Sequence, residues 1–242
     1  MQREERMEAV VIQRRSEVHY RDNLERLLEV IDRRGEGTLI VAPEVYLTAY
    51  DYAHIDAAAA FSQEALEKLV ERVDGQIVIV TMILKEGEDF VNRAVVIHRH
   101  RLLHRQEKAK LFRLGEEDRY LRAGETEKIV PFEIEGVKYA ILICFELRFK
   151  ELWRQIEGAD IVVVPARWGL PRKRHLEILS RALAVINQCY VVVANSSDSD
   201  MAASSAIISP EGEAVEGERE SVFEGSILFR EIRKMRRYIV MK

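Results

Sequence analysis

The sequence predicts an α/β fold in which two β-sheets pack face to face with helices outside. Three observations carry that prediction. Short Val/Ile-rich runs alternate with amphipathic helical stretches. Several runs are apolar at consecutive positions, as strands covered on both faces are. Paired runs such as Ile77–Leu84 and Arg93–Ile97 break the strict βαβ rhythm of a single doubly wound sheet.

The elements follow in order. Val10–Gln13 is the first strand-like run, and Asp22–Arg34 then places Leu24, Leu27, Leu28 and Ile31 on one helical stripe before Gly35 stops it. Thr38–Ala42 reads as a strand. Ser62 is positioned to cap a second helix whose apolar face is Leu66, Leu69, Val70 and Val73. After Ile77–Leu84 and Arg93–Ile97 comes a charged connection with interspersed aromatics, residues 107–124, and connections of that length in compact domains often carry function. Tyr139–Ile143 is a strand, about Phe149–Ile156 a short helix and Ile161–Pro165 a strand. A helix follows Pro171 with Leu176, Leu179, Leu183 and Ile186 turned inward, and Tyr190–Ala194, Ser205–Ser209 and Ser226–Phe229 complete the strands.

No linker, charge block or repeat divides the 242 residues, so one domain spanning 1–242 is expected, with about 230–242 an exposed C-terminal arm or subunit contact. A net charge of −4, from 37 basic and 41 acidic residues, argues against nucleic-acid binding. No apolar stretch has the ~18 residues of a membrane helix, and the N-terminus lacks the apolar h-region of a signal peptide. Two cysteines can build neither a disulfide framework nor a four-thiolate zinc site, so a cytoplasmic setting is expected. His98, His100 and His104, interleaved with Arg99, Arg101 and Arg105, read as a solvated strand end and turn rather than a metal site.

Chemistry concentrates around Cys144. It ends an apolar strand and precedes a polar helical segment, which puts its thiol near a helix N-terminus where thiolate is favoured and where the Phe145 N–H could face an oxyanion. Cys189, at a helix-to-strand junction without charged neighbours, reads as a core residue. No histidine has a convincing motif as the base. A carboxylate could serve, and Glu44 lies just past the C-terminal end of a strand, while Lys108 and Glu117 lie in the charged connection.

Three segments occur in order: Ala42-Pro-Glu-Val-Tyr-Leu-Thr-Ala-Tyr, Glu107-Lys-Ala-Lys-Leu-Phe and Ile143-Cys-Phe-Glu-Leu-Arg-Phe-Lys-Glu-Leu. Together they resemble the signature segments of the nitrilase superfamily, the carbon–nitrogen hydrolases. Glu117-Asp-Arg-Tyr-Leu-Arg-Ala-Gly resembles the segment with that family's second glutamate, and Asn92-Arg-Ala its N-x-A strand. The resemblance implies a four-layer αββα sandwich of two mostly six-stranded sheets. It implies Glu44 as general base, Cys144 as nucleophile, Lys108 and the Phe145 N–H as oxyanion donors and Glu117 as their positioner, with no cofactor or metal. Ala49, Ala123, Glu146 and Lys110 stand where the family usually has Gly, Pro, Asp and often His, departures that bear on pocket shape.

The stretch from Trp168 to His175 is similar to that of short ω-amidase-like members, which cleave small dicarboxylic acid monoamides. A small linear amide bearing a carboxylate is therefore the expected substrate, with Arg167 or Arg172 on the carboxylate and Tyr50, Tyr120 and Trp168 as pocket walls. N-carbamoyl or nitrile hydrolysis by the same residues is the alternative within enzymes, and an inactive binding protein the alternative outside them. The resemblance also implies a homodimer or higher homo-oligomer through the helices after Cys144 and after the Trp168 loop, with Leu152, Trp153 and Leu176 as the apolar surface.

Overall fold

The computed structural model describes residues 6–241. One six-stranded sheet contains β1 (Arg6–Gln13), β2 (Leu39–Val41), β3 (Ile77–Glu86), β4 (Asp89–His98), β5 (Arg101–Glu107) and β12 (Ser221–Leu228), in the spatial order β12-β1-β2-β3-β4-β5. The other contains β6 (Phe132–Ile134), β7 (Val137–Ile141), β8 (Ile161–Ala166), β9 (Tyr190–Asn195), β10 (Ala206–Ile208) and β11 (Ala214–Glu216), in the order β11-β10-β9-β8-β7-β6. Both follow one plan: three central parallel strands, β1-β2-β3 or β7-β8-β9, flanked by antiparallel edges.

Period-two alternation sorts the apolar side chains into layers. Val11, Val41 and Ile79, paired across β1, β2 and β3, face inward into a core shared with the second sheet. Their neighbours Val10, Ile40 and Val78 face outward against α1 (Tyr20–Asp32) and α2 (Ile55–Arg72), through Leu24, Leu27 and Leu69. On the far side, α4 (Lys150–Gln155) and α5 (Lys173–Asn187) cover the second sheet with Leu152, Leu176 and Leu183. This is the two-sheet sandwich with helices outside that the periodicity predicts. A four-residue helix, α3 (Glu117–Tyr120), lies in the charged connection, and α6 (Phe229–Tyr238) rests on its own chain through Phe229, Ile232 and Met235. Arg236 of α6 pairs with Asp160 at 2.9 Å, while Tyr238–Met241 stay exposed. No helix among the described residues is long and apolar enough to cross a membrane.

Four local expectations change. Ser62 does not cap α2 but lies buried inside it, because the helix begins at Ile55 and runs through an alanine stretch that shows no apolar stripe. Ile186 is half exposed; the inner face of α5 is Leu176, Ser180, Leu183, Ala184 and Asn187. The histidine stretch is less solvated than expected. His98 is buried beside the Gln76 carbonyl, and His104, on β5, stacks on Phe132 of the opposite sheet with centroids 4.0 Å apart. Finally, Leu152 and Leu176 are sealed in their own core rather than available to a second subunit.

Candidate active site

Three loops at the C-terminal ends of strands bring the expected residues together. Glu44 lies three residues beyond β2, and its N–H donates to the Ala166 carbonyl at the end of β8, so both sheets fix its position. Lys108 follows β5 directly, its N–H donating to the Asn92 carbonyl at 2.8 Å and its carbonyl accepting from Gly124 at 2.9 Å. Cys144 lies three residues beyond β7 and opens a five-residue 3-10 turn, Cys144–Arg148, with its backbone in the left-handed region at φ 48°. Glu117 starts α3, within the connection that follows Lys108.

The Lys108 ammonium is wholly buried between two carboxylates. Its Nζ lies 2.8 Å from Glu44 Oε1 and 2.7 Å from Glu117 Oε1. Burial opposes the charge, but Glu44 and Glu117 outweigh it and hold the ammonium above the ordinary lysine range. Glu117 is drawn upward by burial, against the pull of Lys108, and its Oε2 accepts the Phe112 N–H at 2.9 Å. Glu44 Oε1 accepts two further hydrogen bonds, from the Tyr50 hydroxyl at 2.6 Å and from Asn92 Nδ2 at 2.9 Å.

Cys144 shares a cavity of about 350 Å³ with Glu44, Glu117, Tyr50, Tyr52, Arg167 and Arg172. Burial and the Glu44 charge push its thiol well above the usual cysteine range, while Lys108 and a hydrogen bond from the Arg167 backbone N–H pull the other way. The Cys144 environment thus favours a neutral thiol, not the thiolate that a helix N-terminus suggested. A five-residue turn has little dipole to offer, and a nearby carboxylate opposes a second negative charge.

Within the turn, Glu146 is buried with both oxygens engaged. Oε1 accepts the Ala109 N–H at 2.6 Å and Oε2 the Ile143 N–H at 2.7 Å, so one side chain ties the Lys108 loop to the Cys144 loop. Burial pushes its carboxyl up to about 7, against those N–H donors.

The remaining sequence candidates divide. Tyr50 lines the cavity beside Glu44, and Trp168 and Phe145 line a smaller recess that also opens on Cys144. The Trp168 indole N–H donates to the Arg172 carbonyl at 2.7 Å. Tyr120 does not line the cavity: it is exposed and stacks on Tyr52, which does, with centroids 4.2 Å apart. Arg167 turns its guanidinium to Asp198 at 2.7 Å. Arg172 lies over the Phe112 ring at 5.1 Å and has no ion pair with a carboxylate among the described residues. Arg148, over Trp168 at 4.8 Å, is lowered by burial and by the neighbouring Arg172 charge. No group of three His, Cys, Asp or Glu side chains among the described residues is arranged to hold a metal ion.

Sequence reasoning missed Asn92, Tyr52 and Arg148 as site residues. Asn92 had a readable signal, a polar residue that with Arg93 interrupts the otherwise apolar stretch Phe90–Ile97. Tyr52 and Arg148 had none, since exposed-looking aromatics and arginines are common in loops and turns.

A layered α/β sandwich with a thiol and two carboxylates on one cavity, and an ammonium buried between the carboxylates, has the groups that a hydrolase needs. Residues 11–237 match the carbon–nitrogen hydrolase profile, so the chain belongs to that family, the nitrilase superfamily. It is 32% identical over 212 residues to a 2-oxoglutaramate amidase of Bacillus subtilis strain 168, covering 82% of this chain and 81% of that protein. It is 28% identical over 200 residues to an omega-amidase of Escherichia coli strain K12, covering 78% and 77%. The fold is similar to that of a CN-hydrolase superfamily protein from Xanthomonas campestris, with a TM-score of 0.84 over 96% of this chain and 95% of that one at 23% identity.

Proposed function

We propose that this carbon–nitrogen hydrolase is an amidase that cleaves small linear amides through a Cys144 thioester. One observation carries the reading: Glu44 and Glu117, which hold the buried Lys108 ammonium between them, line a cavity that also opens on Cys144. Glu44 takes the proton of the Cys144 thiol as sulfur attacks the amide carbon. Lys108 and the Phe145 N–H stabilise the oxyanion, a role for donors already in place before charge develops. The amine or ammonia leaves with the proton held by Glu44, and the thioester remains. Water, deprotonated by Glu44, then attacks the thioester carbon, the C–S bond breaks to release the acid, and the Cys144 sulfur takes the proton back from Glu44. Glu117 holds Lys108 in position. No cofactor or metal enters these steps.

For the substrate, a carboxylate at the far end of the amide fits Arg172 better than Arg167. The Arg167 guanidinium is already neutralised by Asp198, whereas Arg172 and Arg148 are neighbouring cations without a carboxylate partner among the described residues. The similarity to a 2-oxoglutaramate amidase and an omega-amidase supports the same substrate class, the monoamide of a small dicarboxylic acid. The test is ammonia release from such a monoamide, a neutral aliphatic amide, an N-carbamoyl amino acid and a nitrile, read alongside intact mass. Preferred cleavage of the monoamide with an acyl adduct on Cys144 is expected. Turnover of none of the four, or equal turnover by Cys144→Ala, would overturn the reading.

A further inference from the structure

Glu44 carries its hydrogen bonds unevenly. Lys108, Tyr50 and Asn92 all donate to Oε1, at 2.8, 2.6 and 2.9 Å. Oε2 receives no hydrogen bond from the described residues, and Glu44 borders the cavity on which Cys144 opens. The donors are themselves linked, because Asn92 Nδ2 also donates to the Tyr50 oxygen at 2.9 Å. The Tyr50 phenol, raised by burial and by Glu44, stays protonated and can only donate towards the carboxylate.

Asn92 is unusual for its place. It lies on β4, fully buried on the face it shares with Ala94 and Val96, two aliphatic residues of the core between the sheets. Its Oδ1 has no hydrogen-bond partner. An orphaned buried carbonyl costs about 1–3 kcal/mol, so stability alone does not explain an amide here. Its donor side does have work: Nδ2 serves Glu44 and Tyr50, and its backbone carbonyl holds the Lys108 N–H.

We propose that Asn92 and Tyr50 are positioning residues that, with Lys108, lock Oε1 of Glu44, so that Oε2 is the oxygen exchanging protons with Cys144 and then with water. This rests on Glu44 being the base of the proposed reaction. Both chemical steps use the same oxygen, so a carboxylate free to rotate slows both while leaving substrate binding alone.

The experiment compares Tyr50→Phe, Asn92→Ala and the double variant with wild type, using the best amide of the screen, with iodoacetamide alkylation of Cys144 followed in the absence of substrate. Each single variant should lose up to about 10²-fold in kcat, the scale expected of a misplaced reacting group, with KM within about twofold. Alkylation should slow in parallel. The double variant should lose less than the product of the singles, because both act through one oxygen. Circular dichroism checks the fold, and Tyr50→Phe, which removes one oxygen only, carries the test if Asn92→Ala does not fold. A folded variant with kcat within about threefold of wild type overturns the proposal. So does a raised KM at unchanged kcat, or losses that multiply independently. Full turnover by Glu44→Gln would instead overturn the reading of Glu44 as base.

Discussion

Replacing Lys108 by methionine tests whether the buried charge cluster is built for catalysis. The ammonium is wholly buried and lies 2.8 and 2.7 Å from two carboxylate oxygens, so its loss leaves Glu44 and Glu117 facing each other without a cation between them. Removing one member of a buried ion pair costs about 3–5 kcal/mol, most of it the uncompensated partner. Glu117→Gln keeps the Lys108–Glu44 pair and forfeits one charged hydrogen bond, about 1–3 kcal/mol. In the double variant a single carboxylate remains, so it should be more stable than the sum of the single losses by up to about 3 kcal/mol. Urea unfolding followed by circular dichroism measures all three. Activity should move differently: Lys108→Met loses on the order of 10²–10³ in kcat with its oxyanion donor, and the double variant recovers stability without recovering turnover. Additive stability losses, or turnover that returns with stability, would refute the reasoning.

Cys144→Ala should abolish turnover with the fold intact by circular dichroism, whereas Cys189→Ala, which trims a buried core thiol, should keep kcat near wild type. For Glu146 the sign follows from a folded value of about 7 above an ordinary 4.5. Its contribution to stability is full below about pH 4.5 and is lost as pH rises through about 7. Wild type should therefore lose on the order of 3 kcal/mol relative to Glu146→Gln between those pH values, and parallel urea-unfolding curves at every pH would count against it. Arg172→Ala should raise KM for a dicarboxylic acid monoamide but not for a neutral amide of equal length. We also propose a dimer, which light scattering at micromolar concentration should detect. Its apolar surface is the outer side of α5, where Ile178, Val185 and Ile186 are each about half exposed.

The sequence reveals most where burial is two-sided. Runs such as Ile77–Leu84 and Ile161–Pro165 are covered on both faces, and their composition alone marks them as central strands. The three strands that went unread are β5, β6 and β11, all at or beside sheet edges and carrying charged residues that solvent accommodates as easily in a loop. The alanine stretch opening α2 failed differently: alanine fits a helix without announcing which face is buried. The site poses a harder problem, because no local pattern distinguishes Glu44 from a loop carboxylate or Lys108 from a surface lysine. Only the ordered set of segments did so. Glu44 and Cys144 each stand three residues past the central strands β2 and β7, one in each sheet, and Lys108 directly follows β5. What joins them is the way the two sheets face each other, which depends on strand order and not on any stretch of sequence. Asn92 shows the complementary signal, since a polar side chain with an orphaned oxygen inside an apolar strand has no packing reason to be there. Its place on β4, reaching Glu44, Tyr50 and the Lys108 backbone at once, supplies a reason.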